Sequence, residues 1–155
     1  MIVLRKMIEN EFINWRKWHI SDYTKDLIAT GEYSETEAKE EAESSYSLLA
    51  NGLSTLGHHL FIAENDVGIP VGMIWYIIEN ENCIFIADFL VYDEYRRMGY
   101  GSAILTELEC KVKPKGYSII ELHVFKHNTA AIKLYDKCGF TPVEVDGSLY
   151  MEKQI

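Results

Sequence analysis

Apolar and polar residues follow two different rhythms along this chain. From Asn10 to Ile28, the positions Phe12, Trp15, His19, Tyr23 and Leu27 recur at helical spacing, and Gly31 supplies a stop. Ser34-Glu-Thr-Glu37 reads as a capping box, serine and glutamate each satisfying the other's backbone N–H, so a second helix is expected through Leu49 and to end at Asn51-Gly52. Met1–Met7 reads as a short strand. The rhythm then changes. His59–Glu64, Val71–Ile78 and Cys83–Val91 are β-rich runs separated by the turn-forming stretches 65–70 and 79–82. Loops this short join antiparallel neighbours, which predicts a meander.

After Val91 a polar loop, Tyr92–Met98, leads into a helix from about Tyr100 to Val112, with Ala103, Leu105, Leu108 and Val112 on its apolar side and Pro114-Lys-Gly116 ending it. Tyr117–Phe125 reads as a buried strand and Asn128–Cys138 as a helix stopped by Gly139. Phe140–Val145 and Leu149–Lys153 are strands around Asp146-Gly147. The order β-α-α-β-β-β-α-β-α-β-β predicts an α/β fold with a mixed sheet. Its centre is a parallel connection from Cys83–Val91 through a helix to Tyr117–Phe125. No repeat or low-complexity linker interrupts residues 1–155, which read as a single domain.

Composition removes several classes of function. Among the 155 residues, 15 lysines and arginines stand against 24 aspartates and glutamates, a net charge of −9, which disfavours a nucleic-acid backbone as partner. The apolar runs fall well short of the ~20 residues that span a bilayer, so no membrane is expected. The first charge follows a very short apolar stretch, the reverse of a secretory leader, and a cytoplasmic protein is expected. Cys83, Cys110 and Cys138 are isolated from one another, as reduced thiols in such a compartment would be. Among the histidines and cysteines a zinc site would use, only His58 and His59 are adjacent. Strand neighbours point to opposite faces, so no metal is expected.

One segment carries chemistry. Val91-Tyr-Asp-Glu-Tyr-Arg96-Arg97-Met98-Gly99-Tyr100-Gly101-Ser102 joins the end of a buried strand to a helix start. Unpaired N–H groups at a helix N-terminus carry partial positive charge suited to phosphate. Glycine at 99 and 101 would let a pyrophosphate approach them; a plain tight turn is the alternative. A second segment, Asn128-x-x-Ala131-x-x-Leu134-Tyr135-x-x-x-Gly139-Phe140, begins with a natural N-cap and ends with a helix stop.

Together these segments resemble the GNAT superfamily of acetyl-CoA-dependent N-acetyltransferases. Arg96-x-x-Gly99-x-Gly101 after Phe89-Leu-Val91 is similar to its pyrophosphate motif, and Leu122-His-Val-Phe through Asn128 and Tyr135 to Gly139-Phe140 to its second motif. The resemblance implies a mostly antiparallel sheet of about seven strands with about four helices and splayed parallel strands at its centre. It also implies acetyl-CoA as cosubstrate and direct attack by a primary amine in a ternary complex. By the same resemblance, the backbone of Phe89, Leu90 and Val91 would hold the pantetheine arm. The amides of Arg96, Arg97, Met98, Gly99, Tyr100, Gly101 and Ser102 would cradle the pyrophosphate. Asn128 would meet the pantetheine, and Tyr135 would protonate the leaving thiolate. The acceptor would be the amine of a small molecule or peptide, and a homodimer is a common assembly in the family.

The general base is not given by the motifs. Asp88 is the only carboxylate in Cys83–Val91 and is costly to bury without a partner, which makes it the base or an anchor for the acceptor. Glu121 and His123, two apart and therefore on one face, are its rivals. Glutamates 32, 35, 37, 40, 41 and 43 read as a solvated face, or as the border of a mouth for a cationic acceptor. An acetyl-CoA-binding sensor without turnover is the alternative function. A dinucleotide oxidoreductase fails on context, since residue 104 is isoleucine where a third glycine belongs.

Overall fold

A computed structural model describes all 155 residues, Met1–Ile155. One sheet holds seven strands: β1 (Val3–Lys6), β2 (His58–Glu64), β3 (Pro70–Ile78), β4 (Cys83–Val91), β5 (Ile119–Val124), β6 (Thr141–Val145) and β7 (Ser148–Gln154). Their order is β1-β2-β3-β4-β5-β7-β6. Every pairing is antiparallel except β4 with β5. The helices are α1 (Glu9–Ala29), α2 (Glu35–Ser44), α3 (Tyr100–Val112) and α4 (Thr129–Lys137). No helix is long and apolar enough to cross a membrane.

The chain divides into two compact units, one of Met7–Leu56 and one of Met1–Lys6 with Gly57–Ile155. In the first, the expected capping box is in place: Glu37 N–H donates to Ser34 Oγ, and Ser34 N–H to the Glu37 carboxylate, each at 3.2 Å. α2 stops at Ser44, earlier than the sequence suggests, and the chain tightens to a 3₁₀ turn over Ser45–Leu49. Three serines account for this. The hydroxyls of Ser44, Ser45 and Ser47 donate to the carbonyls three residues back, at 2.8, 2.6 and 2.7 Å, in competition with the α-helical ladder. Trp15 stacks on His19 at 5.0 Å, and Tyr46 meets both rings edge-on.

In the second unit, α3 buries Ile104, Leu105, Leu108 and Val112 against one face of the sheet, where Phe61, Ile74, Tyr76, Ile84, Ile86, Ile120 and Leu122 also lie. Each such side chain contributes about 1.5–3 kcal/mol when removed from water. Tyr135 of α4 and Phe140 join this core. On the other face, Leu60, Ile62, Met73 and Trp75 are buried, and the Trp75 indole N–H donates to His58 Nδ1 at 3.1 Å.

Two irregularities in β4 set the geometry of the sheet's centre. Tyr76 stands opposite Ile86 but Trp75 stands opposite Asp88, so Ala87 is an extra residue, a β-bulge. It reverses the alternation: Ile84 and Ile86 face α3 before it, Phe89 and Val91 after it. The parallel rungs to β5 run only from Cys83–Ile119 to Ile86–Leu122. Beyond Ile86, β4 follows β3 while β5 follows β7, and the two central strands part.

Candidate active site

The parting leaves backbone groups without strand partners. Tyr92 N–H donates to Val71 on the β3 side, so by alternation the N–H and C=O groups of Phe89 and Val91 point to the β5 side, where no rung exists. The Arg96 side chain claims one of them, its Nε donating to the Val91 carbonyl at 3.1 Å, while Nη2 pairs with Asp93 at 3.2 Å. Arg96 therefore ties the loop to the end of β4. Arg97 forms no ion pair and is exposed at the helix start, with a φ of 62° that side-chain-bearing residues rarely adopt.

Gly99 caps α3 with a φ of 83°, and no side chain satisfies the first turn. The first hydrogen bond of that turn runs from Ala103 N–H to the Gly99 carbonyl at 3.2 Å, so the amides of Tyr100, Gly101 and Ser102 are available to an anion. Gly101 has a packing reason that its place in the sequence does not announce. A Cβ there would lie 2.9 Å from Leu134 Cδ2, so its absence lets α3 approach α4. At the same crossing the Cys138 thiol reaches Ser102 Oγ at 3.6 Å.

α4 brings its own groups. The Asn128 side-chain oxygen accepts from Ala131 N–H at 3.2 Å, which leaves the amide nitrogen of Asn128 to other partners. Tyr135 lies with its ring 6.3 Å from Phe89 and 5.6 Å from Phe140. Its hydroxyl has no protein hydrogen-bond partner, yet no unpaired side-chain oxygen is sealed from solvent, so the phenol opens onto space a ligand could occupy. Burial raises its pKa far above the ordinary phenol value, with the charge of Asp88 and then the Cys138 thiol adding to the effect. At any physiological pH it holds its proton.

Asp88, Glu121 and His123 share the sheet face opposite α3, Asp88 being brought there by the bulge. Glu121 lies near Cys83, whose thiol donates to the Ile84 carbonyl at 3.5 Å. Burial pushes that thiol up to about 12, with the negative charge of Glu121 next in effect. His123 touches Phe125 at 5.1 Å and Tyr150 at 5.2 Å, ring to ring, and burial lowers its pKa.

A helix start with free amides, an open strand edge and a protonated phenol all lie in this unit. Residues 12–140 match the acetyltransferase (GNAT) family. The chain belongs to the GNAT acetyltransferases. This acetyltransferase is 30% identical over 146 residues to the uncharacterized N-acetyltransferase YdgE of Bacillus subtilis strain 168, spanning 92% of this chain and 93% of YdgE. It is 32% identical over 148 residues to YycN of the same organism, spanning 93% and 95%. The crystal structure of YycN superimposes with a TM-score of 0.88 at 31% identity, over 94% and 95% of the two chains. The PaiA N-acetyltransferase of Thermoplasma acidophilum, solved with coenzyme A, shares the fold with a TM-score of 0.75 at 22% identity, over 100% and 99%.

Proposed function

We propose that this acetyltransferase moves the acetyl group of acetyl-CoA to a primary amine of a small molecule or peptide, by direct attack in a ternary complex. One observation carries the reading: the strand edge left open beyond Ile86 leads from the free amides of Tyr100–Ser102 to the unpaired hydroxyl of Tyr135. The residues fit the ligand by charge and shape. Amides of Tyr100, Gly101 and Ser102 cradle the pyrophosphate, the Arg96 N–H being spent on the Asp93 carbonyl at 3.3 Å, and Arg97 adds the positive charge that the Arg96 side chain has committed to Val91 and Asp93. The N–H and C=O of Phe89 and the N–H of Val91, beside Leu90, take the amide-bearing pantetheine arm, and the nitrogen of Asn128 donates to it. PaiA, with the same fold, was solved with coenzyme A.

Acetyl-CoA supplies the thioester whose C–S bond breaks as the amine nitrogen forms its new bond to the acetyl carbon. Tyr135 donates its hydroxyl proton to the departing sulfur and regains one from the proton that the nitrogen sheds on becoming an amide. Asp88, whose charge acts on Tyr135, helps keep that phenol protonated and anchors the incoming ammonium. A thiol-release assay against a broad panel of amines tests the reading. Acetyl-CoA binding without thiol release by any amine would replace it with a sensor.

A further inference from the structure

The amine must lose a proton before or as it attacks, and Asp88, given above the duty of anchoring the ammonium, leaves that proton to another group on the same face, Glu121 or His123. We propose that His123 is the general base, accepting the proton of the acceptor's ammonium on a ring nitrogen and passing it to water. This assignment rests on the acetyl-transfer reading and names the group that completes it.

Register puts His123 there. Ile86–Leu122 is the last rung between the central strands, so His123 is the first residue of β5 beyond it on the face that also carries Asp88. Its ring is fixed between two aromatic neighbours, Phe125 and Tyr150. Neither nitrogen has a hydrogen-bond partner, and neither is sealed from solvent. A half-buried imidazole with both nitrogens unspent has no structural duty that uses them. The charged groups on its face are Asp88 on β4, Glu121 on β5 and Glu152 on β7, and none forms an ion pair with it. Burial therefore decides its protonation and favours the neutral, proton-accepting form at neutral pH.

The test combines histidine titration by NMR in the free protein with pH profiles of kcat/KM for the best amine in the thiol-release assay. For the wild type, an acid limb is expected at the NMR pKa of His123, below 6.5, separate from the limb set by the amine's own ionisation. His123→Gln should lower kcat/KM about 100-fold, abolish only the His123 limb and leave the KM for acetyl-CoA nearly unchanged. Added imidazole should restore part of the rate to His123→Ala. Should the glutamine variant unfold, His123→Asn takes its place, with melting curves as the check. A variant that keeps both rate and acid limb overturns the assignment, as does a slow variant that imidazole does not rescue. Wild-type protein silent toward every amine overturns acetyl transfer itself, and this assignment with it.

Discussion

Gly101 and Leu134 are so close that a Cβ on the glycine would sit 2.9 Å from Leu134 Cδ2. The helix opened by Gly99 is thus seated against the helix carrying Tyr135, with the Leu134 side chain filling the space that a Cβ at 101 would take. Gly101→Val should lower the melting temperature and weaken acetyl-CoA binding together. Pairing it with Leu134→Ala should recover stability and part of the affinity. If the second substitution only lowers stability further, the two helices do not depend on this approach.

Tyr135→Phe keeps the ring against Phe89 and Phe140 and removes only the hydroxyl. We expect kcat to fall about 10²–10⁴-fold with acetyl-CoA affinity nearly unchanged. Wild-type turnover in that variant, measured where chemistry limits the rate, would reduce Tyr135 to a packing residue.

Arg97 separates stability from binding. Its left-handed backbone costs a residue bearing a side chain of order 1 kcal/mol, which glycine avoids. Arg97→Gly should leave the melting temperature unchanged or raised while the KM for acetyl-CoA increases and loses part of its salt dependence. A KM that does not move would show that the charge serves no phosphate.

Acid should destabilise the fold through its histidines. Burial lowers the pKa of His58, His59 and His123, with Lys115, Lys6, His58 and Lys111 adding to the effect at His59. An unfolded histidine binds a proton near 6.5, so the unfolded chain takes up more protons. Stability from these groups is complete above that pH and is lost as pH falls through the lower folded values. Melting temperatures from pH 7 to pH 5 should fall, and His59→Gln should flatten the slope. An unchanged slope would show that His59 contributes nothing to it.

Most of this architecture can be read from the chain. Strand runs and turn residues locate every strand to within about two residues, because edges such as Asp146-Gly147 declare themselves locally. The two glycine-bearing motifs point to the ends of α3 and α4 for the same reason. What the sequence hides depends on partners distant in the chain. Cys83–Val91 reads as one continuous strand, and only its pairing with β3 reveals Ala87 as surplus. Gly101 looks like a ligand-facing residue until Leu134, 33 positions later, is brought beside it. Arg96 reads as one of the cradling amides until its N–H is found on the Asp93 carbonyl and its Nε on the Val91 carbonyl. Glu121 and His123 look equivalent by spacing, and only the fold shows the His123 ring set between Phe125 and Tyr150.

The surplus residue at 87 makes the end of β4 sensitive to length rather than to composition. Removing Ala87 would put the rest of the strand out of phase, as a frameshift does to codons. Asp88 would be driven among Ile84, Ile86 and α3, and Phe89 would leave the Tyr135 ring. A buried, unpaired carboxylate costs more than any single methyl in that core. Substitutions at 87 should therefore be mild, whereas its deletion should abolish acetyl transfer and the fold around it. Descendants of this sequence can vary that residue freely but cannot lose it.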